Sequence, residues 1–132
     1  MIETIVKKGG DFINIIHKTS VIHGNVKLGK GVILCPFTYA FDNVIINDYV
    51  LLNVGTGAGH DAIIGKYSCL MGHVELCGRV KVGDETFFGS GARVLPSGKV
   101  GNNAFVGAGS VVLKSVKDGV KVFGNPAKKV EL

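Results

Sequence analysis

Residues 64–81 read IGKYSC, LMGHVE and LCGRVK, three consecutive groups of six that each begin with a bulky aliphatic residue. The fifth residue of each group is smaller: Ser68, Val74 or Val80. A period of six fits neither the helical repeat of about 3.6 residues nor the two-residue alternation of a half-buried strand. It predicts a short strand followed by a turn, repeated, with the first and fifth residues of each hexad pointing inward.

The same pattern continues in both directions from this stretch. Residues 16–117 divide into 17 hexads without an insertion. Every first position is Ile, Leu, Val, Ala or Phe, and every fifth is Ser, Thr, Val, Ala or Gly. Three hexads would make a triangular coil, and stacked coils would pair their strands in parallel around one apolar column, as a solenoid. Glycine recurs at the second position, where we expect it to permit backbone angles that a Cβ would hinder. These glycines are Gly29, Gly59, Gly65, Gly83, Gly89, Gly101 and Gly107.

The two ends of the chain fall outside the repeat. A short opening helix would stop at Gly9 and Gly10, because paired glycines end helices. Repeat stacks need atypical terminal units. We therefore interpret residues 1–15 as an N-terminal cap, 16–117 as the solenoid and 118–132 as a C-terminal cap or tail.

Composition limits the class of protein. Hydrophobic residues make up 46% of the chain, yet no apolar run approaches the roughly 20 residues of a membrane helix, and the N-terminus has no signal-peptide pattern. The three cysteines, Cys35, Cys69 and Cys77, are odd in number and lack CxxC spacing. We expect free, buried thiols in a reducing compartment, and hence a cytoplasmic protein that does not bind membranes.

The net charge of +5 is concentrated in the last third of the chain. A basic end suits an anionic partner such as a phosphorylated cofactor, although a solvated surface would look the same. Nucleic acid is disfavoured, because aromatic and basic residues do not interleave. The bases are Arg93, Lys99, Lys114, Lys117, Lys121, Lys128 and Lys129, against Asp118 and Glu131.

One turn carries residues suited to proton transfer. In the stretch Gly59-His60-Asp61 an imidazole stands beside a carboxylate. Histidine suits acid–base catalysis near neutral pH, and a neighbouring carboxylate can fix its tautomer. The same residues would also fit an ordinary surface histidine.

Stacking of the coils extends this turn into a column of residues 18 apart. His60 would share its column with Asp42, Gly78, Pro96 and Lys114. A structural solenoid would repeat its outward residues coil after coil, whereas this column changes at every level. The change favours a unique site.

Five stretches, INIIHKTSVI, GHDAIIGKYS, FFGSGARVLP, FVGAGSVVLKSV and VFGNPAKKV, together span nearly the whole chain. They resemble the hexapeptide repeats of left-handed parallel β-helix acyltransferases. The closer resemblance is to the C-terminal domain of bacterial sugar O/N-acyltransferases, such as sialic acid O-acetyltransferases and UDP-4-amino-sugar N-acetyltransferases. Members of that family usually carry an N-terminal nucleotide-sugar-binding domain, whereas this sequence opens almost directly into the repeat.

The resemblance implies an all-β fold, a left-handed parallel β-helix with short caps, assembled as a homotrimer. It implies acetyl (or acyl) transfer from acetyl-CoA, without a metal, to an amine or hydroxyl of a sugar or nucleotide-sugar. His60 would be the general base, Asp61 would orient it, and the backbone N–H of Gly78 would stabilise the oxyanion. The acceptor sugar and the choice between O- and N-transfer stay open.

The late coils resemble a coenzyme A groove. Bare backbone at Gly89 and Gly107 would let an extended pantetheine arm lie close, and lysines would meet its phosphates. In relatives the tail that contains Gly124-Asn125-Pro126-Ala127 lies near the cofactor. The residues expected to bind coenzyme A are Gly89, Gly107, Lys114, Asn125, Pro126 and Lys128.

Two alternatives stay open beside the acyltransferase. One is a zinc enzyme like the γ-type carbonic anhydrases, which need three imidazoles and an open position. His60 and His73 alone do not supply these, although His73 could border the cleft. His17 and His23 are expected to be structural or exposed. The other alternative is a structural β-solenoid without catalytic activity.

Overall fold

The computed structural model describes residues 1–131; Leu132, the end of the predicted tail, lies outside them. One short helix, α1 (Ile2–Lys7), precedes 20 strands of two or three residues that form three sheets. Sheet A contains β1 (Ile15–Ile16), β4 (Ile33–Leu34), β7 (Leu51–Leu52), β10 (Cys69–Leu70), β13 (Phe87–Phe88), β16 (Phe105–Val106), β19 (Lys121–Phe123) and β20 (Lys128–Lys129).

Sheets B and C complete the triangular cross-section. Sheet B contains β2 (Val21–Ile22), β5 (Tyr39–Ala40), β8 (Gly57–Ala58), β11 (Glu75–Leu76), β14 (Arg93–Val94) and β17 (Val111–Val112). Sheet C contains β3 (Lys27–Leu28), β6 (Ile45–Ile46), β9 (Ile63–Ile64), β12 (Lys81–Val82), β15 (Lys99–Val100) and β18 (Ser115–Val116).

The strand register establishes the coil. Cys69 pairs in parallel with Leu51 on one side and Phe87 on the other, each 18 residues away. The chain thus visits sheets A, B and C in turn, and each coil lies directly on the preceding one. β20 alone among the described strands pairs antiparallel, folding back on β19. The predicted all-β, left-handed parallel β-helix is confirmed.

The last coil is shorter than the sequence reading predicted. Lys99 pairs with Ser115, 16 residues away, because Leu113 and Lys114 alone separate β17 from β18. The Lys114 carbonyl accepts from the Lys99 N–H at 2.8 Å, the role that Gly98 plays one coil earlier. The prediction that Lys114 stacks above Pro96 in the column of His60 is therefore wrong.

The core confirms the inward register of the first and fifth positions. First-position side chains such as Phe88 and Leu70 are fully buried, as are fifth-position side chains such as Ala92. Hydroxyls at the fifth position donate to backbone carbonyls: the Ser68 hydroxyl lies 2.9 Å from the Gly83 oxygen. A buried hydroxyl without such a partner would destabilise the fold, so small polar residues are accepted here because the coil supplies acceptors.

The second-position glycines serve a purpose other than the predicted one. Their φ angles are not positive; a Cβ on Gly65 would lie 2.5 Å from the backbone nitrogen of Asp84, so they are there for space. The left-handed conformation falls instead on the fourth position, mostly on residues other than glycine, at a cost of about 1–2 kcal/mol each. These residues are Phe37, Asn43, Tyr49, Asp61, Tyr67, His73, Arg79, Glu85, Ser97 and Asn103.

The N-terminal segment lies against the outside of the coil. α1 has no buried residue, and Gly9 follows it at φ +84°. α1 and the rings of Tyr49 and Tyr67 line a shared cavity of about 250 Å³, and Phe12 meets Tyr49 edge to face at 5.3 Å. The capping roles of both ends stay predictions. Across residues 1–131, no helix has the length and apolar character needed to cross a bilayer.

The three cysteines are free thiols in residues 1–131, and they are half-buried rather than in the core as predicted. Burial raises the pKa of the Cys69 thiol. Burial also raises the pKa of Cys77, with a further contribution from the Glu75 charge that Arg93 opposes. Neither thiol is activated as a nucleophile by its surroundings.

Candidate active site

The corner between sheets B and C, which we call the His60 corner, stacks Asp42, His60, Gly78 and Pro96. Backbone hydrogen bonds fix the levels: the Asp61 N–H donates to the Asp42 carbonyl at 2.8 Å. The same bond recurs one coil later, from the Arg79 N–H to the His60 carbonyl, also at 2.8 Å. The predicted column is therefore present as far as Pro96.

His60 and Asp61 form the predicted imidazole–carboxylate pair. His60 Nδ1 lies 2.8 Å from Asp61 Oδ2, and the side chains are 54% and 47% exposed. The hydrogen bond from His60 lowers the pKa of Asp61, followed by a second hydrogen bond from Asn43 and the charge of Arg79. An ionised carboxylate can only accept, so Nδ1 carries the proton of the neutral ring and Nε2 presents a lone pair.

Gly78 completes the predicted trio. A Cβ on Gly78 would collide with His60 Nε2 and lie 2.7 Å from Cε1, so the ring packs over this residue because it has no side chain. The Gly78 N–H has no hydrogen-bond acceptor within residues 1–131. The next coil places Pro96 at the position from which another side chain could have accepted it.

Except for Lys114, the residues expected to bind coenzyme A cluster at another corner, between sheets A and B. A Cβ on Gly107 would collide with the Phe123 ring, and one on Gly89 would lie 2.5 Å from the Ala108 nitrogen. The space beside these glycines, which was predicted to admit coenzyme A, is thus occupied at least in part by the chain itself.

The tail docks beside this second corner. The Gly124 N–H donates to the Ser110 hydroxyl at 3.1 Å, and the Ala127 N–H donates to the Val111 carbonyl at 2.8 Å. These two bonds bracket Asn125 and Pro126. Lys128 then pairs with Phe123 in β20 and is exposed. The structure brings Gly107, Asn125, Pro126 and Lys128 together, but separates them from His60 by the width of sheet B. Lys114 lies at the His60 corner, on the last coil.

The other histidines do not join His60. His73 covers Gly55 at the corner between sheets A and B, where a Cβ on Gly55 would lie 2.5 Å from His73 Nδ1. His23 Nδ1 lies 2.9 Å from Asp42 Oδ1 and is exposed to solvent on one side. In the part of the chain that the structure describes, no three His, Cys, Asp or Glu side chains are grouped as metal ligands would be.

Sequence reasoning missed a half-buried pair on sheet B. The Tyr39 hydroxyl donates to the Glu75 carboxylate, and its ring crosses Gly57, where a Cβ would collide with it. Burial, followed by this bond, raises the pKa of Tyr39. The signal was present, because Tyr39, Gly57 and Glu75 are spaced 18 apart and the glycine between two long side chains leaves room for them to meet.

The chain is similar to known sugar acyltransferases, although no family model matches it. It is 33% identical over 90 residues to GDP-perosamine N-acetyltransferase of Escherichia coli O157:H7, a match covering 68% of this chain and 41% of the relative.

Solved structures give fuller coverage. A variant of perosamine N-acetyltransferase from Caulobacter crescentus, in complex with CoA and GDP-perosamine, superposes with a TM-score of 0.96 and 32% identity over 98% of this chain and 61% of that one. WeeI from Acinetobacter baumannii gives 0.94 and 31%, covering 98% and 63%. The chain thus spans less than two thirds of these relatives. Over the length that the chain spans, the predicted resemblance to hexapeptide-repeat sugar acyltransferases is confirmed.

Proposed function

We propose that this chain transfers an acetyl group from acetyl-CoA to a sugar or nucleotide-sugar, most simply to an amino group. The observation that carries the proposal is the His60–Asp61 pair, 2.8 Å apart, with the imidazole packed over Gly78. Two of these relatives are named as N-acetyltransferases, and one of the two was solved with CoA and GDP-perosamine, which favours an amine acceptor.

The proposed mechanism uses the three residues together. His60 Nε2 takes a proton from the acceptor amine as its nitrogen attacks the thioester carbon, while the Asp61 carboxylate stabilises the imidazolium. The Gly78 N–H, which has no acceptor within residues 1–131, donates to the carbonyl oxygen as that oxygen gains negative charge. The C–N bond forms, the C–S bond breaks, and the imidazolium returns its proton to the departing CoA thiolate. No covalent acyl-enzyme is needed.

A homotrimer would complete the site. Within one chain the expected coenzyme A residues, Gly107, Asn125, Pro126 and Lys128, lie across sheet B from His60, so a cofactor shared between neighbouring chains joins the two sets. The corner between sheets B and C also exposes apolar side chains directly after two strands of sheet B, among them Phe41 at 41% and Leu113 at 51%. These suit burial against a second copy, and closed symmetry is the rule for homo-oligomers. Light scattering should give about three chain masses; a fully active monomer would contradict a shared site.

The experiment that tests the function is a thiol-release assay with acetyl-CoA and a panel of nucleotide-linked amino sugars, each matched with the corresponding hydroxy sugar. We expect release with at least one amino sugar and about 10²–10⁴-fold less with His60→Ala. Release that needs no His60, or no release with any acceptor, would contradict the proposal.

The zinc alternative is separated by chelation. We expect activity to survive EDTA, whereas activity that EDTA abolishes and zinc restores would favour a carbonic anhydrase-like enzyme. A chain inactive in every assay would favour a structural solenoid. A cytoplasmic location, without nucleic acid or membrane partners, stays a prediction.

A further inference from the structure

A second polar column runs beside His60, formed by fourth-position residues that all face outward from the same corner. Asn25, Asn43, Asp61, Arg79 and Ser97 follow one another at intervals of 18 residues. Their side chains are joined in two groups: Asn25, Asn43 and Asp61 by hydrogen bonds below, and Arg79 Nε to the Ser97 hydroxyl at 3.1 Å above.

In the lower group the side-chain amides of Asn25 and Asn43 each donate to the residue one coil above. Asn25 Nδ2 donates to Asn43 Oδ1 at 2.9 Å, and Asn25 Oδ1 accepts from the Asn43 backbone N–H at 3.2 Å. With its oxygen held in this way, Asn43 presents its amide nitrogen upward, 3.1 Å from Asp61 Oδ1. The Asp61 carboxylate therefore accepts from Asn43 through one oxygen and from His60 through the other.

The orientation of the Asn43 amide constrains the His60 imidazole. Asp61 is about half exposed, so water competes for both of its oxygens and its χ angles are not fixed by burial. A bond from Asn43 to Oδ1 fixes the carboxylate plane, and the fixed Oδ2 then fixes the ring and its Nδ1–H tautomer. Partners one bond removed from the reacting group commonly orient it in this way.

We infer that Asn43 is a positioning residue of the active site, which acts through Asp61 to hold the His60 imidazole with Nε2 over Gly78. This inference rests on the proposed acetyl transfer, but the orientation that it predicts exists in the protein without substrate.

Asn43→Gly is the variant that tests it. Asn43 has φ 60°, so glycine keeps the backbone conformation and removes only the side chain. Asn103→Gly is the matched control, because Asn103 is also a fourth-position asparagine, with φ 53°, but lies at the corner between sheets C and A. Equal melting temperatures for the two variants would show that the fold is equally intact.

In steady-state assays we expect kcat of Asn43→Gly to fall about three- to tenfold, the range that one ordinary hydrogen bond represents, with KM for both substrates unchanged. Asn103→Gly should retain wild-type kcat. The double variant Asn43→Gly with Asp61→Asn should be no slower than Asp61→Asn alone, because Asn43 acts only through Asp61. Multiplying defects, or equal kcat for the two glycine variants, would overturn the inference.

A spectroscopic arm separates failure of the inference from failure of the proposed function. ¹⁵N NMR of the His60 ring reports the tautomer directly, and we expect the Nδ1–H form in the wild type and in Asn103→Gly, and a mixture in Asn43→Gly. An unchanged tautomer in Asn43→Gly overturns the inference even if the enzyme is active. If the wild type transfers no acetyl group but the tautomer shifts as expected, the proposed function fails and the orienting role of Asn43 stands.

Discussion

Two corners of the same prism have the same backbone turn but differ in what happens to its third-position N–H group. At the corner between sheets C and A, which we call the ladder corner, an Asp or Asn side chain of one coil accepts the third-position N–H of the coil before it. Asp84 Oδ1 accepts from Lys66 and Asn102 Oδ1 accepts from Asp84, each at 2.8 Å. At the His60 corner the equivalent N–H of Gly78 is left unpaired by Pro96 within the described chain.

The difference lies in the side chains. At the ladder corner four third-position N–H groups donate to an Asp or Asn one coil later, and each donor follows a glycine, such as Gly65 or Gly83, that leaves room for the acceptor. The donors are Lys30, Lys66, Asp84 and Asn102. Each of these four N–H groups is used by the fold. The His60 corner changes residue at every coil, so its donor and its ring nitrogen stay free. A corner whose polar groups bond from coil to coil stabilises the solenoid, and a corner that lacks such bonds offers its groups to a ligand.

Removal of the proposed general base, His60, should have the largest effect on activity. We expect His60→Ala to lower kcat by about 10²–10⁴-fold, because water accepts the proton of the acceptor poorly, while acetyl-CoA affinity stays nearly unchanged. Steady-state kinetics and calorimetry measure the two quantities. Asp61→Asn should cost less, because the base remains. A near-wild-type kcat for His60→Ala together with an inactive His73→Ala would place the site at the corner between sheets A and B.

Gly78→Ala should have a smaller effect on kcat, and it tests the packing of the His60 ring directly. The added Cβ would collide with the His60 ring and displace it, and a displacement of about 1 Å can reduce the rate on the order of 10²-fold. Gly24→Ala is the control: Gly24 is a third-position glycine at the same corner, and a Cβ there would meet nothing within 4 Å. We expect wild-type kcat from Gly24→Ala, and equal rates for the two variants would refute the packing argument.

At the ladder corner the expected effect is on stability. Asp84→Ala leaves the Lys66 N–H without its acceptor, and by analogy with a lost helix cap this should cost about 0.5–2 kcal/mol of unfolding free energy. Asp84→Asn should be nearly neutral, because Asn102 already performs the same role one coil later. Denaturant unfolding measures both, and kcat should be unchanged in both. A loss of kcat without a loss of stability would mean that the two corners are not distinct in function.

The sequence was sufficient for the repeat, because apolar first positions and small fifth positions repeat a packing requirement at every coil. It was also sufficient to bring His60 and Gly78 together, since that needed only the 18-residue coil. It misplaced Lys114, because a turn two residues shorter still reads as a hexad when its first position is Val112.

Other features depend on backbone conformations and side-chain orientations that the amino-acid sequence does not state. The glycine prediction failed because the fourth position takes the left-handed conformation, whereas the second needs space. Asn43 escaped notice because its role depends on which way an amide points, and that direction is set by Asn25 below it. The separation of Gly107 from His60 became visible only when their corners were assigned to different sheets.

The smallest expected effect is a pH dependence of stability confined to the His60 corner. The hydrogen bond from His60, with that from Asn43 and the charge of Arg79, lowers the pKa of Asp61 in the folded chain. A lowered pKa means that the unfolded chain binds the proton more readily, so Asp61 stabilises the fold above its unfolded pKa of about 3.9 and loses that contribution as pH falls through the folded pKa. The melting temperature of Asp61→Asn should therefore lie below that of the wild type at pH 7 and converge with it below about pH 4. Because the His60 bond is the largest cause, the gap at pH 7 should narrow when both proteins also carry His60→Ala. A gap that persists unchanged in acid, or is indifferent to His60, would show that Asp61 stabilises the corner by its left-handed backbone rather than by its charge.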